Sequence, residues 1–280
     1  LPYPPPPGQP SGPDQPANTR LSGQQATNDT SVEAKRRLVR DMPSVVLILF
    51  TVVALGVAAL IGAELFARHV AETKVAQATE CVTRDKSSVL FGVAPPFLLQ
   101  HITGRYTGIS IQTAGNQIKE AKGMTAMVHI YDVDLHGNAN SKGTIGALNA
   151  TLTWSAKGIK ETVQNALPVV GSLVMSVMTN PDDGTVDLKT ELGLGDVKVK
   201  PQVVNNSLSL QVVGVSGWGI PILPKQTVQP ALDIFTKQLT NRFPLGIHPD
   251  SVRVTGAGVV GHFSARNATI PTEDPCFAKL

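Results

Sequence analysis

Two aspartates one residue apart, Asp132 and Asp134, are the first side chains in this 280-residue chain whose type and spacing could do chemistry. On a strand, residues i and i+2 share a face, so the two carboxylates could offer hard oxygen ligands to a divalent metal. Some sugar transferases hold a nucleotide-sugar diphosphate that way. Alternating aspartates are also the ordinary mark of a solvated strand face, and nucleotide sugars are cytoplasmic, whereas this segment is expected outside the membrane. The six histidines, His69, His101, His129, His136, His248 and His262, show no H-E-x-x-H or other close ligand spacing, so no metal site is expected. GAGVVG, with Gly256, Gly258 and Gly261, satisfies G-x-G-x-x-G. That pattern binds a pyrophosphate only when a helix follows it, and HFSARNATIP is not helical, so a hairpin is the better reading. Around Ser216, GVSGW puts Trp218 where a nucleophile elbow needs glycine. The chain is therefore expected not to be an enzyme and to need no cofactor.

The elements that would position any site begin with residues 42–63, MPSVVLILFTVVALGVAALIGA, followed by the charged Glu64. At about 1.5 Å per helical residue this run covers roughly 33 Å, enough for a bilayer core of about 30 Å. Lys35, Arg36, Arg37 and Arg40 lie just upstream, against only Arg68 and Lys74 soon after, so the N-terminus is expected to be cytoplasmic and the bulk of the chain extracytoplasmic. A cleaved signal peptide is the alternative, with residues 61–63 as its cleavage site. The leader is longer and the apolar run more extended than such peptides show. Residues 1–41 open on LPYPPPPGQPSGPDQP and cannot bury enough apolar surface to offset folding entropy, so a disordered, proline-rich cytoplasmic tail is expected. The expected domains are thus 1–41 tail, 42–63 transmembrane anchor and 64–280 extracytoplasmic domain.

Beyond the anchor the charges nearly balance and are interspersed, which leaves no electrostatic footprint for nucleic acid. Aromatic residues make up 5% of the chain, while Val, Leu, Ile, Gly and Thr are plentiful, so sheet should dominate in an α+β fold. The two cysteines, Cys81 and Cys276, both fall on the expected outer side, where disulfides persist, and are expected to pair. Two free thiols are the alternative.

Residues 64–80 should continue the anchor as a helical stalk. A short strand at 88–91 and a helix at 97–103 follow, the latter opened by Pro95-Pro96, closed by Gly104 and facing inward with Phe97, Leu98 and Ile102. In the strand at 125–135, Val128 and Ile130 give way to Tyr131, Val133 and Leu135, a change of phase that suggests a β-bulge or a strand covered on both faces. The strand at 144–154 alternates Leu148, Ala150, Leu152 and Trp154 with polar residues. A helix at 158–167, a strand within 169–178, a turn at 181–184 and a hairpin across Asn205-Asn206 come next. A loop at 217–224, an amphipathic helix at 227–242 and a hairpin of 251–255 with 259–265 complete the reading.

GAELFARHVAE after a single anchor, FGVAPPFLLQHITGRYTGISI, and FPLGIHPDSVRVTGAGVVGHFSA together resemble the actinobacterial cell-envelope family typified by lipomannan elongation factor A. The resemblance covers about residues 62–275; the proline-rich tail departs from it. It implies a tubular lipid-binding fold, in which a curved antiparallel sheet wraps around helices and encloses an apolar channel. It also implies binding of phospholipid, phosphatidylinositol-based lipids included, in support of lipomannan and lipoarabinomannan assembly beside an envelope mannosyltransferase. A scaffold that steadies a glycosyltransferase without holding lipid is the alternative. In such a fold Val128, Ile130, Leu148, Leu152, Leu208, Leu210, Phe235 and Leu239 are the candidates to line the channel; otherwise they form a closed core.

Overall fold

The computed structural model describes residues 30–166, 171–191, 195–217, 225–240, 244–272 and 275–276. The expected loop at 217–224 lies almost wholly outside them, as do residues 1–29 of the expected tail. The chain divides into two compact units, Leu1–Val57 and Ala58–Leu280.

Helix α1 (Thr30–Thr83) supplies all that is described of the first unit and opens the second. It starts well before the apolar run, over residues expected to be disordered, because Glu33, Ala34, Lys35, Arg36, Arg37 and Leu38 are good helix formers that a helical neighbour can nucleate. From Met42 onward it is strongly apolar, and it is the one described helix long and apolar enough to cross a membrane. Its far end is no free stalk. Ala67, Ala71, Val75 and Ala76 pack against the core of the second unit.

That core is carried by a six-stranded antiparallel sheet in the order β1 (Ser87–Phe91), β2 (Arg105–Thr113), β5 (Met124–Asp134), β6 (Ser141–Ser155), β12 (Gly258–Pro271), β11 (His248–Thr255). A small hairpin, β3 (Gln117–Ile118) and β4 (Ala121–Lys122), lies between β2 and β5 in the chain. The second sheet runs β10 (Ser207–Ser216), β9 (Asp196–Val204), β8 (Thr185–Thr190), β7 (Val174–Asn180). Three further helices are α2 (Phe97–Thr103), α3 (Ala156–Ala166) and α4 (Lys225–Thr240). The α+β class and the antiparallel sheets agree with the tubular lipid-binding type of fold. Asn205 and Asn206, both at positive φ, make the two-residue turn that pairs Val203 with Leu208.

The expected change of phase in β5 is real, and it runs across the sheet. Asp132 has φ 53° and Asn267 φ 50°, and the pairing on either side sets both opposite Gly146. Along this line β5 changes its buried residues from Ala126 to Val133, β6 from Ile145 to Leu148, and β12 from Ala265 to Ala268. No register shift accompanies the switch in β5, so the device is a left-handed residue in each outer strand and not an inserted one. Asp and Asn tolerate that conformation, and glycine leaves the room: a Cβ at Gly146 would stand 2.9 Å from the Asp132 Cβ. Asp132 is thus a crease residue with an exposed side chain. Asp132→Gly should leave thermal stability unchanged or slightly raised, whereas Asp132→Val, β-branched at positive φ, should cost about 1–3 kcal/mol in a urea melt. The metal reading requires the opposite pattern, with Asp132→Gly abolishing a metal-dependent sugar transfer.

Where α1 ends, Asp85 is buried and accepts from Gly115 N (2.8 Å), Asn116 N (2.9 Å), Asn116 Nδ2 (2.8 Å) and Lys86 N (3.0 Å), fixing the turn that leads out of β2. Burial pushes this carboxyl up, but the hydrogen bonds from Asn116 and Gly115 outweigh it and hold it below the ordinary value. A depressed folded-state value stabilises above the unfolded pKa and loses that contribution as pH falls through about 4 and below. Asp85→Ala should lower stability by about 3 kcal/mol at pH 7 in a urea melt, and by progressively less as the pH drops below about 4.

Candidate functional site

Apolar side chains of the second unit gather into two clusters. The first lies between α1 and the six-stranded sheet and is closed: Leu148 is 2% exposed and Phe97 1%. Phe91, Phe97 and Tyr106 pack edge-on or tilted against one another at one end, with centroids 5.0–5.8 Å apart. The second cluster joins the four-stranded sheet, α3 and α4 to the β11–β12 hairpin, and it is not filled.

A cavity of about 80 Å³ remains inside it. Ile159 and Val163 of α3 line one side and Leu232 and Phe235 of α4 another. The sheet contributes Val186 and Leu188 from β8, Val199 and Pro201 from β9, and Leu208 and Leu210 from β10. Trp154, Val252 and Val259 line it from the six-stranded sheet, with the Trp154 indole N–H spent on the Lys122 carbonyl at 2.8 Å, so that its ring offers only apolar surface. Among the described residues no charged side chain lines the cavity.

The α4 helix covers the cavity because its apolar stripe, Leu232 and Phe235 with Val228 beside them, faces the sheet. One polar side chain hooks it on. Gln229 Oε1 accepts from Val212 N at 2.9 Å and Gln229 Nε2 donates to Leu210 O at 2.8 Å, next to the register shift between Val212 and Gly214. Nothing in the periodicity of this helix singles out Gln229.

The structure therefore distributes the channel candidates between the clusters. Leu208, Leu210 and Phe235 meet at the cavity, and Leu239 lies on α4 with its side chain outside the described residues. Val128, Ile130, Leu148 and Leu152 belong to the closed cluster, because the register of β5 on β6 turns that face toward α1. Sequence missed Trp154, Ile159, Val163, Val186, Leu188 and Val199 as cavity residues. Each reads as ordinary core, and only the pairing of distant strands brings them together.

Other candidates for chemistry have local partners. Asp134 bonds His136 N at 2.9 Å and Arg105 Nε at 3.2 Å, while His129 bonds Ser110 at 3.0 Å, His101 Tyr106 at 2.9 Å and His262 Thr151 at 3.2 Å. Among the described residues no three His, Cys, Asp or Glu side chains converge as a metal site. Gly256 lies in the β11–β12 turn, Gly258 and Gly261 lie on β12, and a strand, not a helix, follows the G-x-G-x-x-G run. Cys81 and Cys276 are joined, with Cα atoms 5.5 Å apart.

No solved structure matches the chain. It is 49% identical over 282 residues to the uncharacterized protein Rv0479c of Mycobacterium tuberculosis (strain ATCC 25618 / H37Rv), covering 94% of this chain and 80% of that one. The uncharacterized protein Mb0489c of Mycobacterium bovis (strain ATCC BAA-935 / AF2122/97) matches with the same identity and coverage. Residues 58–264 match the model of the LmeA-like phospholipid-binding family. That span holds both sheets up to the middle of β12 and both apolar clusters almost entire, so the chain belongs to the LmeA-like phospholipid-binding family.

Proposed function

We propose that this protein is a single-pass, uncleaved membrane protein whose extracytoplasmic domain, residues 64–280, holds phospholipid acyl chains between α4 and the four-stranded sheet. It is a binding protein and not an enzyme. The carrying observation is an unfilled cavity whose described lining is entirely apolar, in a chain of this family.

Scale decides how the site must work. A cavity of about 150 Å³ admits the six carbons of benzene, so 80 Å³ admits about three. A longer stretch of acyl chain needs more room, and α4 moving off β10 would make it. Lifting Leu232 and Phe235 from the sheet costs about 3–6 kcal/mol, and each acyl methylene that replaces them returns about 0.8 kcal/mol, so about six methylenes offset the opening. With affinity coming from the chain, head-group preference should be modest. Support for lipoglycan assembly beside an envelope mannosyltransferase, with phosphatidylinositol-based lipids as cargo, is the role we infer from the family likeness.

Native mass spectrometry of the full chain released from detergent tests this reading. One phospholipid should stay bound at collision energies that strip loosely attached lipid. A lipid-free protein under the same conditions would favour a scaffold with a closed core.

A further inference from the structure

Helix α2 does not face the way its apolar pattern suggests. Phe97 and Gln100 point inward, the latter wholly buried, while Leu99 is 50% and Ile102 81% exposed on the opposite side. Gln100 earns its burial by cross-bracing: its Nε2 donates to Gly92 O (3.2 Å) and Pro95 O (2.6 Å), and its Oε1 accepts from Thr107 N (3.1 Å). The loop from Gly92 to Pro96 is thereby tied to α2, and within it Val93 is 80% exposed.

Single exposed apolar residues are ordinary; what distinguishes these is where they are held. The Glu64 carboxylate accepts hydrogen bonds from Phe97 N and Leu98 N (2.8 Å to the latter), and Arg68 donates to Phe91 O (3.0 Å) and Gly92 O (3.3 Å). Loop and helix are pinned to the first turns of α1 beyond its apolar run, beside the exposed Leu65 and Phe66. One helical turn rises about 5.4 Å, and the polar interfacial layer of a bilayer is about 5–8 Å deep on each side. A segment pinned at Glu64 thus falls within that layer.

We propose that Val93, Leu99 and Ile102 form a bilayer-contact surface, seated at the head-group and acyl boundary of the membrane that holds α1. This rests on the anchor reading of residues 42–63. It would make the second unit a body held to the lipid surface at two places, through α1 and through α2.

The test uses full-length protein in liposomes of phosphatidylcholine and phosphatidylglycerol, with an environment-sensitive fluorophore on single cysteines introduced as Val93→Cys, Ile102→Cys, Asp182→Cys or Val53→Cys. Lipids carrying a nitroxide near the head group should quench the labels at 93 and 102 by about half or more and leave the label at 182, in the β7–β8 turn, unchanged. Adding Leu99→Glu and Ile102→Glu to the Val93→Cys protein should abolish the quenching at 93 without unfolding, since both positions are exposed. Labels at 93 and 102 as unquenched as the one at 182 would overturn the proposal. The label at 53, read with nitroxides deep in the chains, reports the anchor separately: quenching there with none at 102 sinks only the surface contact.

Discussion

Leu210→Phe should leave the protein folded and weaken phospholipid retention about fiftyfold. Leu210 lines the cavity from β10, an edge strand where an aromatic side chain is well accommodated. Phenylalanine adds three carbons, about what 80 Å³ admits, so the ring fills the space that the first acyl carbons would take. Excluding three methylenes forfeits about 2.4 kcal/mol of binding, which is the fiftyfold. Leu148→Ala is the counterpart in the closed cluster. It opens a void where Leu148 is 2% exposed and should cost about 3 kcal/mol of stability while sparing lipid retention. Urea melts and quantified bound lipid on both variants separate a functional cavity from an ordinary core. Equal lipid content in Leu210→Phe and wild type would show that acyl chains do not occupy this space.

The second large effect belongs to the disulfide. Cys81 sits in the last turn of α1 and Cys276 beyond β12, 195 residues apart in sequence. Closing so long a loop restricts the unfolded chain by about 5 kcal/mol in the entropy model, and measured contributions run nearer 2–4 kcal/mol. The double variant Cys81→Ser, Cys276→Ser should therefore lose about 3 kcal/mol, seen as a lower urea midpoint. The change acts chiefly on the unfolded state, so lipid retention under native conditions should persist. A midpoint within error of wild type would mean that the bond only tethers a terminal segment.

Much of this architecture was legible in the residues. The alternation of Leu148, Ala150 and Leu152 announced a half-buried strand, and Asn205-Asn206 announced a hairpin that the register confirms. The break at Tyr131 was visible too, but not its cause. The crease needs Asp132, Gly146 and Asn267 in line, and which residues stand side by side is set by strand pairing over more than a hundred residues. In α2 the apolar-stripe rule chose Ile102 for the core. The core took Gln100 instead, because its three hydrogen bonds satisfy the buried amide and tie down the loop through the Gly92 and Pro95 carbonyls.

The channel candidates show the same limit. Each was apolar and half-buried by pattern, and Leu208, Leu210 and Phe235 do share one cavity. Val128, Ile130, Leu148 and Leu152 share the other cluster because β6 pairs with β5 on one side and β12 on the other, a topology that periodicity does not encode.

The central claim is that acyl chains lie between α4 and the four-stranded sheet. Photocrosslinking of the full chain with a phospholipid carrying a diazirine in its acyl tail addresses this directly, with the adducts mapped by peptide mass spectrometry. Adducts on peptides holding Leu208, Leu210, Leu232 and Phe235, depleted in Leu210→Phe, are the predicted result. Adducts confined to the apolar run of α1, with none on α4 or β10, would contradict it.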